Sequence, residues 1–131
     1  MFIYQHPCNR GCWFLIVTIS TIITVTKKIL TTKFNYNIPT EQLKRVMTTA
    51  APEFSEIPGC FWKIWLINEE QKEAGGVYLF KSVIELEQFL TSYMFELVKE
   101  NPFFSNFQTN IFGVPEEPSL ITGAPLMKMV I

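Results

Sequence analysis

Lys63 stands between two tryptophans in the run Phe61-Trp62-Lys63-Ile64-Trp65, and a second aromatic run, Val77-Tyr78-Leu79-Phe80, follows it closely. A lysine among rings can stabilise a phenolate or an enolate, or have its own pKa lowered by burial. The plainer alternative is that its alkyl stem lies along apolar surface and its head reaches the sheet edge. Trp62 and Trp65 can line an aromatic pocket and offer an indole N–H, or they can simply pack. Tyr36 and Tyr78 can donate to an oxyanion, or can be packed rings with the hydroxyl at the rim. These five residues, Tyr36, Trp62, Lys63, Trp65 and Tyr78, are the candidate substrate-binding set.

Other chemistry is thinly represented. The single histidine, His6, lies near Cys8 and Cys12. Those three groups lack a fourth ligand at usable spacing, so they read as incidental rather than as a metal site. No nucleophile–base pair, phosphate loop or metal-ligand cluster stands out. Glu69, Glu70, Glu73, Glu85, Glu87, Glu96 and Glu100 fall at turns or helix surfaces, where carboxylates are solvated. The sequence therefore assigns no proton-abstracting or other catalytic residue, no metal and no cofactor.

The elements that must position the candidate set come from one domain's length of chain, 131 residues. The composition is 48% hydrophobic and 15% aromatic, which argues against disorder. Twelve Phe, four Tyr and three Trp exceed what a small monomer buries easily, so a dimer interface or a ligand pocket is expected. The net charge is -1 and the eleven Lys and Arg are scattered, which argues against nucleic-acid binding. Three cysteines, an odd number, suit a reducing compartment and hence a cytoplasmic protein.

Lys28 to Asn37 alternates β-forming residues and reads as a strand. Pro39-Thr40-Glu41 opens a helix whose apolar face is Leu43, Val46, Met47 and Ala50, and Pro52 is expected to end it. Pro58-Gly59 turns the chain into a strand from Cys60 to Ile67. Phe61, Lys63, Trp65 and Ile67 are expected on one face, Cys60, Trp62, Ile64 and Leu66 on the other, with both faces covered. Glu73 to Phe80 returns as its hairpin partner, and Gly75-Gly76 signals a bulge or a close backbone approach. Ser82 with Glu85 forms a capping box for one helix carrying Ile84, Leu86, Phe89, Leu90, Tyr93, Met94 and Leu97, which ends at Asn101-Pro102. A last strand spans about Asn106–Phe112, and a Pro-rich extended tail follows. The order β-α-β-β-α-β is the ferredoxin-like α+β pattern. Two helices cover one sheet face, and a second copy of the chain is expected to cover the other in a homodimer.

Residues 1–26 differ from this domain, 27–131. From Gly11 to Thr26 the chain is uncharged for 16 residues, short for a membrane span, and no small-x-small cleavage site precedes Lys27. A start site placed too far upstream is one reading. Another is a membrane anchor through residues 11–26, the only route to a membrane; a third is an extra packed strand. Because the element series is complete from Lys27, residues 1–24 are expected to be dispensable for folding.

Pro58-Gly59-Cys60-Phe61-Trp62-Lys63-Ile64-Trp65, followed by Glu73-Ala74-Gly75-Gly76-Val77-Tyr78-Leu79-Phe80, resembles the signature of the YdhR-type monooxygenase family. The strand Lys28–Asn37 and the tail Glu117-Pro118-Ser119-Leu120-Ile121-Thr122 are similar to that family's beginning and ending, so the resemblance covers residues 27–127. It implies a dimeric α/β barrel related to cofactor-free antibiotic-biosynthesis monooxygenases. In those relatives a pocket between sheet and helices takes an aromatic molecule, whose carbanion reacts with O₂ after a proton is removed. Two functions follow as expectations. One is a cofactor-independent monooxygenase acting on an aromatic or quinol-like molecule. The other is a non-catalytic dimeric small-ligand binder on the same fold, since fold does not dictate chemistry.

Overall fold

Alternating side chains and β-branched residues make Lys28–Tyr36 the central strand, β1, of a four-stranded antiparallel sheet. The computed structural model describes residues 26–128. After β1 come α1 (Thr40–Phe54), β2 (Cys60–Asn68), β3 (Glu73–Phe80), α2 (Val83–Leu90), α3 (Tyr93–Lys99), β4 (Phe104–Gly113) and α4 (Glu116–Ile121). The sheet order is β2-β3-β1-β4, the ferredoxin-like arrangement expected from the sequence. The N-terminal extension, with His6, Cys8, Cys12 and the uncharged run to Val25, lies outside the described residues. Among those described, no helix is long and apolar enough to cross a membrane.

Cross-strand partners share a face, so register identifies what each residue meets. Leu30 pairs with Tyr78, Phe34 with Ala74, and Lys63 with Tyr78. These residues face the helices. Ile29 pairs with Leu79 and Phe112, and Leu79 pairs with Trp62, which puts that row on the opposite face.

The helix-facing core divides in two. One cluster gathers Leu30, Ile57, Cys60, Tyr78, Phe80, Leu86, Phe89 and Phe95. The other gathers Phe34, Tyr36, Ile38, Leu43 and Ala74. Phe80, Leu30, Leu43, Leu79 and Leu86 are the largest side chains fully removed from solvent. Each contributes about 1.5–3 kcal/mol of hydrophobic stabilisation.

Two bulges bend the edge strands. Between Cys60 and Trp62 the pairing with β3 shifts by one residue. Cys60 therefore joins the helix-facing core instead of sharing the face of Trp62, Ile64 and Leu66 as simple alternation predicts. The second shift lies where β4 passes Phe34 of β1, and it is built on Asn106 at φ 57. Asparagine tolerates this left-handed conformation, and its side-chain amide donates to Asn35 at 3.0 Å. The extra residue turns both Phe104 and Phe107 toward Phe34, with ring centroids 4.4 and 4.9 Å away.

Several local expectations are corrected. Pro52 does not end α1, which runs on to Phe54 with Pro52 in its last turn. The single helix expected after Ser82 is two. Ser92, in extended conformation, breaks it and caps α3 by accepting from the Phe95 amide at 3.3 Å. That break shifts the helical phase: Phe95 turns inward, while Ile84, Tyr93 and Leu97 are exposed. Ser82 caps α2 through the Ile84 amide, but its hydroxyl donates to the Glu85 carboxylate, so the reciprocal box is replaced by a direct side-chain bond. The tail contains a short helix, α4. Within a single chain Ile64 and Leu66 of β2 are 52% and 42% exposed.

Gly75 and Gly76 carry no bulge, because β3 stays in register with both neighbours along this stretch. A Cβ on Gly75 would come 1.9 Å from the Thr32 carbonyl oxygen, a backbone atom that cannot swing aside. Gly75→Ala should therefore cost at least ~2 kcal/mol, close to what Phe80→Ala loses by emptying core volume, about 3–5 kcal/mol. Urea denaturation of the two variants checks this, and a Gly75→Ala midpoint equal to wild type would contradict the close approach.

Candidate functional site

A cavity opens between the two core clusters. Its floor is the sheet, with Thr32 and Phe34 from β1, Lys63 and Trp65 from β2, Tyr78 from β3, and Phe104 and Phe107 from β4. The apolar stripe of α1, Leu43, Val46, Met47, Ala50 and Phe54, forms one wall, and Phe95 and Val98 of α3 form the other. The empty space is about 550 Å³ when the solvent in the open mouth is included. The water-accessible interior is much tighter, about 80 Å³. A bound molecule would have to be flat or would push the two helical walls apart.

Lys63 is the ionisable amine of this lining. Its nitrogen lies 3.4 Å from the centroid of Trp65, 3.8 Å from Phe54 and 4.7 Å from Tyr78. Among the described residues it has no ion-pair partner. Burial pulls its pKa down to about 7, opposed slightly by the charge of Cys60 when ionised. The ring faces oppose burial too, since each attracts a desolvated cation by about 0.5–2 kcal/mol. The amine is thus held close to the point where gaining or losing a proton costs little.

The neighbouring groups are protonated. Burial pushes the Cys60 thiol up to about 11 and the Tyr78 phenol well above its ordinary range, the latter eased by a side-chain hydrogen bond with Thr32. Tyr78 is 3% exposed and its ring packs on Phe89 at 5.2 Å, so it belongs to the core as well as to the cavity lining. Gly76 leaves room for the lysine: a Cβ there would meet Lys63 Cε at 2.7 Å.

The structure brings Lys63, Trp65 and Tyr78 together and places the other two candidates elsewhere. Trp62 points to the opposite face, where its indole N–H donates to the Pro125 carbonyl at 2.8 Å and ties down the tail. Tyr36 sits in the second core cluster, and its hydroxyl hydrogen-bonds with Thr40 Oγ1 at 2.8 Å, at the start of α1. Phe54 and Phe95, both central to the site, were not singled out from the sequence. Phe54 lies beyond the proline read as a helix end. Phe95 lies off the phase of an unbroken helix. No cluster of three or more metal-ligating side chains occurs among the described residues.

Unfolding would return Lys63 to an ordinary lysine, protonated up to about 10.5, whereas the folded side chain loses its proton near 7. Between those values the unfolded chain holds more protons, so native stability climbs as pH rises through that window. Below it both states are charged and the full cost of burying the ammonium is present. Lys63→Met should therefore be more stable than wild type at pH 6, by about 1–3 kcal/mol, and lose that advantage as the pH is raised toward 10. Denaturant unfolding at several pH values measures the difference, and a pH-independent gap would contradict an unpaired buried amine.

Comparisons with known proteins agree with this architecture. Residues 29–125 match the family described as "Putative mono-oxygenase ydhR". No curated protein sequence matches the chain. Among solved structures, a protein from Shewanella oneidensis aligns with a TM-score of 0.57 at 10% identity, covering 70% of this chain and 93% of its own. A variant of SnoaB from Streptomyces nogalater, described as a cofactor-independent oxygenase, also gives 0.57, at 12% identity over 70% of this chain and 95% of that one. A protein from Caulobacter crescentus described as "a putative antibiotic biosynthesis monooxygenase" gives 0.56 at 13% identity, covering 76% of this chain and 99% of its own. At such identities the structural likeness establishes the fold. The family match spans β1 through the tail that Trp62 holds in place, and on that match the chain belongs to the ydhR mono-oxygenase family.

Proposed function

We propose that the protein is a cofactor-independent monooxygenase that binds an aromatic or quinol-like small molecule in the cavity between sheet and helices. The observation that carries this reading is the cavity itself: aromatic and aliphatic walls around a lone amine, with no carboxylate in its lining. Such walls suit a flat conjugated ring system, and Trp65 and Phe54, with centroids 5.0 Å apart, offer it edges and faces. The family match supports monooxygenase chemistry, and the description of SnoaB as a cofactor-independent oxygenase supports a version that works without a cofactor. Thr32 and Tyr78 would supply polar contacts, with the Tyr78 hydroxyl kept protonated as a donor.

A homodimer belongs to the same proposal. On the face away from the helices, Ile64, Leu66 and Phe112 are 52%, 42% and 55% exposed. A second copy laid against this side of the sheet would cover them.

Oxygen uptake by dimeric, metal-free protein, supplied with a panel of anthrones and hydroquinones, tests the reading. The expected result is saturable uptake, reduced at least tenfold in Trp65→Ala and little changed in Trp62→Ala, whose indole faces the tail. Saturable quenching of tryptophan fluorescence with no oxygen uptake across the panel would instead show a ligand-binding protein. Light scattering of the same preparation should give the mass of two chains.

A further inference from the structure

We propose that Lys63 is the proton acceptor of the cavity, and that its ligand is a largely apolar molecule carrying one acidic hydroxyl, a phenol or an enol, at the end that reaches Lys63 Nζ. This deepens the monooxygenase reading and rests on it for the cavity being the ligand site. Elimination and geometry both lead here. A phenol or enol reacts with electrophiles far more readily as its anion, so an oxygenase without a cofactor needs a base. Of the groups facing Lys63, Cys60 on β2 and Tyr78 on β3 are held protonated by burial and so are not the bases of the site. α1 presents Phe54 to it, and α3 lines the same cavity with Phe95 and Val98. The tail presents Lys128 across a small crevice, its Nζ donating to the Ser55 carbonyl at 3.2 Å. None of these is a carboxylate or an imidazole. Lys63 is the one basic atom that reaches the lining among the described residues.

The surroundings suit both sides of the transfer. Before it, an apolar wall favours a neutral amine and a neutral hydroxyl over two charges. In the step, the ligand O–H bond breaks and its electron pair stays on oxygen, while the proton forms a new N–H bond on Lys63. No electron is gained or lost, and no further reactant is needed. Afterwards the new ammonium lies over the faces of Trp65, Phe54 and Tyr78 and beside the oxyanion it created. The ring box that leaves Lys63 without a counter-ion at rest is a receptor for the cation formed in the step. A ligand anion completes the pair.

The test uses 4-nitrophenol, whose anion is yellow, and its methyl ether 4-nitroanisole, which cannot ionise. At about pH 8.5 free 4-nitrophenol is anionic and Lys63 is neutral, so formation of the ammonium–phenolate pair must draw one proton from solvent. The wild-type full-length protein should bind the probe with its yellow band retained, and calorimetry in two buffers of different ionisation enthalpy should show uptake of about one proton per probe. Lys63→Met should bind 4-nitroanisole as wild type does but bleach bound 4-nitrophenol, because an apolar cavity then admits only the neutral form. Lys63→Gln, which keeps a hydrogen-bond donor without a basic nitrogen, should bleach it too and serves where the methionine variant fails to fold.

Yellow probe bound with no proton uptake would overturn the proposal by showing a permanent ammonium. Yellow probe in either variant would overturn it by showing that Lys63 is not the acceptor. Either result leaves the cavity reading intact. Failure of both probes to quench tryptophan fluorescence would overturn the cavity reading and the proposal with it.

Discussion

A lysine amine half-buried among aromatic rings and left without a counter-ion among the described residues is the constraint around which this site is arranged. Transfer of a lone ammonium from water to an apolar interior is unfavourable by several kcal/mol unless something compensates. Here three ring faces compensate in part, and loss of the proton removes the remainder. Each supporting feature can be traced to that amine. The β2 bulge brings Cys60 round to the face of Lys63 and Trp65, Gly76 vacates the space its stem needs, and α1 continues past Pro52 far enough to set Phe54 over it.

The same constraint accounts for a core in two parts. One continuous cluster under α1, α2 and α3 would bury more apolar surface and be more stable. Instead the walls stand apart, and the edge strands are bent so that Phe104 and Phe107 close one end of the gap and Trp65 the other. The gap sacrifices packing where the amine is, which is the usual relation between stability and a working site. On the far side of the sheet, Trp62 performs the opposite task. Its hydrogen bond to Pro125, with the Lys27–Glu116 ion pair at 3.3 Å, anchors the tail that runs from the β4 edge to the β2 edge.

The order of elements was legible because strand alternation, helical stripes and Pro-Gly turns are local signals. The stripe Leu43, Val46, Met47, Ala50 could be read directly, and its function as a cavity wall follows from which sheet face it covers. What the sequence hid were shifts of one residue. A bulge at Cys60–Trp62 looks like ordinary alternation, so Cys60 was expected beside Trp62. The extended Ser92 looks like a tolerable helical serine, so Phe95 was assigned to no face and Tyr93 to the core. Trp62 and Trp65 could be placed on opposite faces, but which one met the helices depended on the pairing of Lys63 with Tyr78 across the hairpin. Lys63 stood out by its aromatic neighbours in sequence; Phe54, the neighbour from a different element, is a tertiary fact.

The most direct measurement of the central claim is the titration of Lys63 itself, followed by NMR of protein labelled at lysine Cε, with the signal assigned by its loss in Lys63→Met. The account predicts a midpoint near 7 for this one lysine, far below the value of about 10.4 for a free lysine side chain. It also predicts a chemical shift displaced by the ring currents of Trp65 and Phe54. A Lys63 signal that titrates as a free lysine side chain does would show a solvated ammonium and would contradict the account.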